Sequence, residues 1–134
     1  MEFDIFGQLF LAAILGSILG LEREIKRKEA GLQTYSLVCL GTCLFTLLAQ
    51  SLASTPGLIQ AVAIGIGFIG AGVIFRQPSG IVGLTTAAGL WVCAAIGVTV
   101  GIKNYPLAFF ATFLALLIFS LFGFLESKYL EKIK

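Results

Sequence analysis

The chain has 134 residues, of which 58% are hydrophobic and only 12% are charged, and its formal net charge is +2. This composition excludes a soluble globular domain, and no nucleic-acid partner is expected. Five apolar runs each approach the ~20 residues that cross a ~30 Å hydrocarbon core. We therefore predict an all-α integral membrane protein, a five-transmembrane-helix bundle in the lipid bilayer that forms one domain over residues 1–134. The expected spans are about 3–21, 35–53, 58–75, 84–101 and 105–124.

The first predicted helix begins near an acidic residue, Asp4, and its cations follow the apolar run rather than precede it. A secretory signal has a basic segment before the run, so this helix is interpreted as an uncleaved first span. Ala12, Gly16 and Gly20 recur at four-residue spacing. Such a stripe lets a second helix approach closely in lipid.

The positions of the cations predict the orientation in the membrane. Lys and Arg are concentrated in cytoplasmic loops and tails. Five spans place Lys103 alone on one side of the membrane and the other eight cations on the opposite side. The N-terminus is therefore expected outside and the C-terminus in the cytoplasm, in a multi-pass protein of a bacterial inner membrane. The eight cations are Arg23, Lys26, Arg27, Lys28, Arg76, Lys128, Lys132 and Lys134.

The third predicted helix contains the glycine-rich stretch GIGFIGAGVIF, residues 65–75. At 100° per residue, Gly67 and Gly70 share one face, and Gly65 and Gly72 lie on the opposite face. Faces of small residues let helix backbones pack closely in lipid. We predict that helix three lies at the centre, between helices one and four. The matching glycines on those two helices are Gly16, Gly20, Gly89, Gly97 and Gly101.

Two interpretations of these glycines stay open. They serve packing alone, or some of them expose backbone carbonyls to a ligand or break the helix, as at transporter sites. Trp91, near the middle of helix four, is expected to fill space beside the glycines, where its N–H needs an acceptor. Helix five is rich in phenylalanine, and we expect it to face lipid except along the stripe Ala108, Ala111 and Ala115.

Polar residues gather at the predicted cytoplasmic ends of the helices. Helices two and four begin there, and their N-termini attract an anion. We predict that Glu22 lies near these N-termini and contacts Arg76, either directly or through water. The group is either a structural lock or a polar vestibule that binds a cation or a small polar ligand. Its members are Glu22, Arg23, Gln33, Thr34, Arg76, Thr85 and Thr86.

On the predicted outer side, Asp4 and Lys103 are close enough in the expected topology to pair. Asp4 and Glu22 are the candidate metal ligands, but Mg²⁺ prefers an octahedron of oxygens and sheds water reluctantly. The sequence supports at most a weak, water-mediated Mg²⁺ site, and no other cofactor is expected. No histidine is present, and the three cysteines fall inside spans without paired spacing, so buried free thiols are expected.

Four motifs in succession are similar to those of the MgtC/SapB family of bacterial inner-membrane proteins, over nearly all the chain. They are LGSILGLERE, KEAGLQTYSLVCLG, GIGFIGAGVIFR and GLTTAAGLWVCAAIGVTVG. The residues that carry over by position are Glu22, Arg23, Ala30, Gly31, Leu32, Thr34, Gly65, Gly67, Phe68, Gly70, Ala71, Gly72, Gly83, Leu84, Thr85, Thr86, Ala87 and Trp91.

The resemblance implies a five-helix membrane domain associated with growth under magnesium limitation. The family commonly has AGLRT where this chain has AGLQT, so Gln33 replaces a cation that would accompany Glu22. Longer members append a cytoplasmic soluble domain, and this chain is expected to consist of the transmembrane domain alone, without a C-terminal soluble domain.

The resulting hypothesis is a non-enzymatic membrane protein of magnesium or ion homeostasis that transports an ion or a small solute. The glycine-rich stretch lies within a span, so it is not a dinucleotide-binding loop. The alternative is a regulatory protein that binds another membrane complex, such as ATP synthase, through its small-residue faces. Five short helices can enclose only a narrow transport pathway for an ion or solute. We therefore also expect a homo-oligomer, with a dimer favoured.

Overall fold

The computed structural model describes residues 2–130 and 132–133. Within these residues, five helices are long and apolar enough to cross a membrane, which confirms the predicted all-α bundle. The fifth helix continues through π-helical turns, Ile118–Phe122 and Glu126–Leu130, that flank Gly123–Leu125; we name residues 118–130 the α5 extension. The helices are α1 (Glu2–Ile25), α2 (Leu32–Ser51), α3 (Thr55–Val73), α4 (Leu84–Gly101) and α5 (Tyr105–Leu117).

Helix α4 lies at the centre of the bundle. It is apolar on all sides, as expected of a helix that neighbours surround, and α1, α2, α3 and α5 all pack against it. The core is formed mainly by side chains from α1, α2 and α4. Its largest fully buried members are Tyr35, Leu15, Leu19, Leu90 and Ile96.

Three glycines of α4 determine how closely it lies against α2. A Cβ at Gly97 would overlap the Thr42 hydroxyl and the Cys39 carbonyl, and a Cβ at Gly101 would overlap Thr46. Gly89 lies in the same way against Tyr35. The absence of side chains at these positions lets α2 insert its own side chains into the surface of α4.

Helices α1 and α2 form a second close contact. A Cβ at Gly16 would lie 2.6 Å from the Tyr35 carbonyl oxygen, and one at Gly20 would lie 2.8 Å from the Leu32 Cα. These two glycines therefore bring α1 against the first turns of α2.

The prediction that helix three lies at the centre is wrong. Helix α3 packs on α4 and α2 at the edge of the bundle, where Gly70 contacts Ala87. A Cβ at Gly65, Gly67 or Gly72 would meet none of the described residues within 4 Å. Because α1, α2 and α5 occupy the other faces of α4, only one face is left for α3.

The prediction for Trp91 is also wrong. Its side chain is 57% exposed and does not fill space beside the glycines of α4. Midspan exposure is unusual for tryptophan, which is enriched at the membrane interfaces.

Helix α5 contacts the bundle along the stripe that the sequence indicates. Ala108 and Ala115 are buried, and so is Thr112 between them. Phe119 differs from the other phenylalanines of this segment because it is buried, with its ring 6.3 Å from that of Tyr35 in an edge-to-face arrangement. The exposed phenylalanines are Phe109, Phe110, Phe113, Phe122 and Phe124.

The connection between α3 and α4 is a β-hairpin, where the sequence indicated only a turn. Strand β1 (Phe75–Gln77) pairs antiparallel with β2 (Gly80–Val82), so Arg76 lies opposite Ile81 and is exposed. Gly83 then begins α4 with a φ of 90°. A side chain there would be strained by this left-handed backbone and would overlap the Val73 carbonyl.

Candidate functional site

One end of the bundle carries the α1–α2 loop, the β-hairpin and the α5 extension, and we name it the basic end. A cavity of about 800 Å³ opens there between the end of α1, the start of α4 and the α5 extension. We name it the basic-end cavity. Its charged lining residues are Glu22, Arg23, Lys26, Lys28 and Glu126, and Thr85 lines it from α4.

Arg23 is the most deeply buried charged residue of this cavity. It is 3% exposed, and its guanidinium carbon lies 4.3 Å from the centroid of the Phe119 ring. Its Nη1 lies 3.5 Å from Glu22 Oε2, while its Nε has no hydrogen-bond partner. The aromatic ring and the neighbouring carboxylate together compensate the burial of this charge.

Glu22 also pairs with Lys26, one helical turn further along α1. The Lys26 ammonium lies 2.5 Å from Glu22 Oε1, and it donates a hydrogen bond of 2.9 Å to the Phe119 carbonyl. That carbonyl belongs to the first π-helical turn of the α5 extension. A widened helical turn often marks a functional position. Lys26 thereby connects α1 to the wall formed by the α5 extension.

Two other carboxylates accept hydrogen bonds from the N-terminal turns of α2 and α4. Glu24 accepts a hydrogen bond of 3.0 Å from the Leu32 amide at the start of α2, where Gly31 leaves room for the carboxylate. Glu29 accepts a hydrogen bond of 2.5 Å from the Thr86 hydroxyl in the first turn of α4. This hydrogen bond lowers the pKa of Glu29, since it favours the ionised carboxylate. Neither residue was predicted from the sequence, although both acids lie shortly before the N-terminus of α2, which attracts an anion.

The structure brings together only part of the predicted polar group. Glu22, Arg23 and Thr85 line the basic-end cavity. Thr86 is buried and bonded to Glu29.

The remaining three members do not line this cavity. Gln33 is exposed and Thr34 is half-buried in the first turn of α2, and Arg76 is exposed on the hairpin. The predicted direct contact between Glu22 and Arg76 is not formed, because the two ion-pair partners that the structure gives Glu22 are Lys26 and Arg23. The hairpin carries Arg76 away from the cavity, and the closer cations on α1 take its place.

The opposite end of the bundle has a smaller cleft of about 350 Å³, lined by Asp4, Gly7, Gln8, Leu11, Tyr105 and Phe109. The suggested pair between Asp4 and Lys103 forms here, and this contact raises the pKa of Lys103. Gln8 is 1% exposed and was missed by sequence analysis, because a single glutamine in an apolar helix gives no pattern. Within the described residues, no three His, Cys, Asp or Glu side chains are close enough to hold a metal ion.

Five apolar helices around a buried core, with charges gathered at one end, define a multi-pass membrane protein. The MgtC family model matches residues 9–128, and the chain therefore belongs to the MgtC family. No solved structure matches it significantly.

Curated relatives match along most of the chain. One is "Putative magnesium transporter YhiD" of Escherichia coli K12, 38% identical over 136 residues that cover 93% of this chain and 63% of the relative. Another is "Protein MgtC" of Salmonella typhimurium, 42% identical over 110 residues that cover 81% of this chain and 48% of the relative. An uncharacterised protein of Haemophilus influenzae is 40% identical over 110 residues, which cover 72% of this chain and 46% of the relative. The chain thus spans between about half and two thirds of the length of these relatives.

Proposed function

We propose that this chain is a non-enzymatic inner-membrane protein of magnesium homeostasis that moves an ion or a small solute across the membrane. Membership of the MgtC family and the name of the Escherichia coli relative, a putative magnesium transporter, support the link to magnesium. The basic end is assigned to the cytoplasm, since cations collect on that side of a membrane. The Glu22–Arg23 pair in the basic-end cavity is the observation that carries the proposal.

Burial of ionisable groups in a membrane domain is costly, and such groups are functional candidates. Arg23 is almost fully buried, and the Glu22 side chain is 12% exposed. A purely structural contact at this position could be made by apolar side chains at lower cost. The cost of burying these charges supports the proposal that a ligand enters the cavity.

The three charges allow a simple exchange. A cation that enters the cavity competes with the Lys26 ammonium for the Glu22 carboxylate. The Lys26 side chain is more exposed than that of Arg23 and can turn into solvent. Water then hydrates its ammonium group, so that leaving Glu22 costs Lys26 little free energy. Its departure would also break its hydrogen bond to the Phe119 carbonyl, so binding at Glu22 would loosen the α5 extension from α1.

A flux assay tests this function. Purified protein is reconstituted in liposomes, and Mg²⁺ and K⁺ fluxes are followed under an imposed gradient. We expect Mg²⁺ flux from the wild type and at least an approximately tenfold loss in Glu22→Gln, which removes about 1.4 kcal/mol or more of interaction with the ion. Glu126→Gln is the matched control, because it neutralises an exposed carboxylate of the same cavity.

The flux proposal is contradicted if folded wild-type protein gives no flux above empty liposomes, or if both variants behave alike. Folding of each variant is checked beforehand by circular dichroism and gel filtration.

A second function, regulation of another membrane complex, is favoured by the free surface of α3. Among the described residues, a Cβ at Gly65, Gly67 or Gly72 would meet nothing within 4 Å, and Phe68 on the same helix is 86% exposed. Small and aromatic residues side by side form a surface on which another transmembrane helix can pack. The same surface suits a second copy of the chain, and we propose a homodimer through α3. Absence of flux, together with an intact α3 contact, would favour regulation over transport.

A further inference from the structure

The cleft at the end opposite the basic end contains a buried acceptor that lacks a donor. The Gln8 amide nitrogen donates two hydrogen bonds, of 2.8 Å to the Val100 carbonyl and 3.0 Å to the Gly101 carbonyl. Both partners are acceptors, so the orientation of the amide group is fixed by chemistry. Among the residues that the structure describes, none donates a hydrogen bond to the buried Gln8 Oε1.

An unpaired buried carbonyl oxygen is costly, since it has lost its hydrogen bonds to water. Asp4 precedes Gln8 by one helical turn, and residues at this spacing lie side by side on a helix. Both residues line the same cleft, together with Tyr105. Three residues whose side chains contain oxygen, Asp4, Gln8 and Tyr105, thus line one cleft.

The helix ends around the cleft have opposite polarity. Asp4 and Gln8 lie in the first two turns of α1, and Tyr105 begins α5, so these two N-termini contribute partial positive charge. The contributions that favour a cation come from the Asp4 carboxylate and from the end of α4. Val100 and Gly101 form the end of α4, and the C-terminal end of a helix carries partial negative charge. The cation that now contacts Asp4 is the Lys103 ammonium, which is more than half exposed on the loop after α4. A surface ion pair of this kind is weak, so a second cation can displace the lysine.

We propose that this outer cleft binds a hydrated divalent cation, with the Asp4 carboxylate as the direct ligand and Gln8 Oε1 as acceptor for a metal-bound water. Hard oxygen groups of this type suit Mg²⁺ or Mn²⁺, which keep several waters when bound. Lys103 is a tethered competitor that occupies the carboxylate when the metal is absent. Binding of a divalent cation in this cleft does not depend on the proposed function. The further statement that the bound cation is the one the protein transports rests on the proposed function.

Binding is measured on the full chain in detergent micelles with Mn²⁺ as the probe, from the loss of the electron paramagnetic resonance signal of free Mn²⁺. The wild type is expected to bind, and Mg²⁺ to compete. Asp4→Asn should lose binding, and Gln8→Leu should weaken it severalfold. Lys103→Asn should tighten it about fivefold, because it removes a charge close to the metal. Asparagine also tolerates the positive φ of 63° at this position.

If Gln8→Leu fails to fold, Lys103→Asn still tests the proposal. Lys103 lies on an exposed loop, so its substitution is not expected to prevent folding. Each comparison is repeated on a Glu22→Gln background, which removes the proposed ligand at the basic end. Glu126→Gln at the basic end is the control for location and should leave Mn²⁺ affinity unchanged. The proposal is overturned if Asp4→Asn binds Mn²⁺ like the wild type, if Lys103→Asn binds no more tightly, or if no variant binds. Flux without Mn²⁺ binding would reject this cleft alone, and binding without flux would reject the proposed transport alone.

Discussion

Gly97→Leu is expected to lower the free energy of unfolding by about 3 kcal/mol or more, because the new side chain has no space between α4 and α2. A Cβ at this position already overlaps Thr42 and the Cys39 carbonyl. The two helices must separate to admit the rest of the leucine, and the buried contacts of the core are lost with them. The measurement is denaturant-induced unfolding in detergent micelles, followed by circular dichroism.

Gly67→Leu is the matched control. It makes the same change on α3, where nothing lies within 4 Å of the added Cβ. Its unfolding free energy is expected within about 1 kcal/mol of the wild type, since leucine is also the better helix former. If Gly67 lies at a dimer interface, crosslinking in native membranes should yield a dimer for the wild type and only a monomer for Gly67→Leu. Equal destabilisation by both substitutions would contradict the placement of α4 at the centre and α3 at the edge.

Arg23→Met is expected to destabilise the protein by about 3 kcal/mol, as does removal of one partner from other buried ion pairs. The substitution keeps an apolar stem beside Phe119 but removes the cation–π contact and one counter-charge of Glu22. The double variant Glu22→Gln with Arg23→Met should be less destabilised than the sum of the single variants, because neither charge is then left without its partner.

A double-mutant cycle from the same unfolding measurement gives the coupling between the two side chains. Glu126→Gln with Arg23→Met is the comparison cycle and should be additive, as the ion pairs that the structure gives Arg23 and Glu22 do not include Glu126. Additive effects in the Glu22 cycle would show that the pair is not energetically coupled.

The sequence was sufficient for the helices and insufficient for their arrangement. Apolar runs and turn residues predicted five spans because hydropathy and length are local properties. Glycine periodicity showed that α1, α3 and α4 have smooth faces, but it cannot show which face meets a neighbour. Gly67 and Gly97 have the same local signature, yet a Cβ at Gly67 would meet no described residue within 4 Å and a Cβ at Gly97 would overlap Thr42.

For the candidate site too, the sequence indicated the charged residues but not the contacts that they make. Glu22 and Arg23 were found because charges near the end of an apolar run are conspicuous. Their partners were not, since Arg76 lies on a hairpin whose direction depends on Gly83, and Lys26 reaches a carbonyl on the distant α5 extension. Gln8 was missed because its significance depends on two carbonyls more than ninety residues away in the chain.

The most direct test of the account is whether water reaches the basic-end cavity from the cytoplasm. Cys39, Cys43 and Cys93 are buried, so a new cysteine can be labelled selectively. Thr85→Cys, which lines the cavity, is predicted to react with a membrane-impermeant maleimide in inverted vesicles and not in intact cells. Phe113→Cys, on the lipid-facing side of α5, should react in neither. Labelling of Thr85→Cys from the outside, or from neither side, would contradict a hydrated cytoplasmic cavity around Glu22 and Arg23.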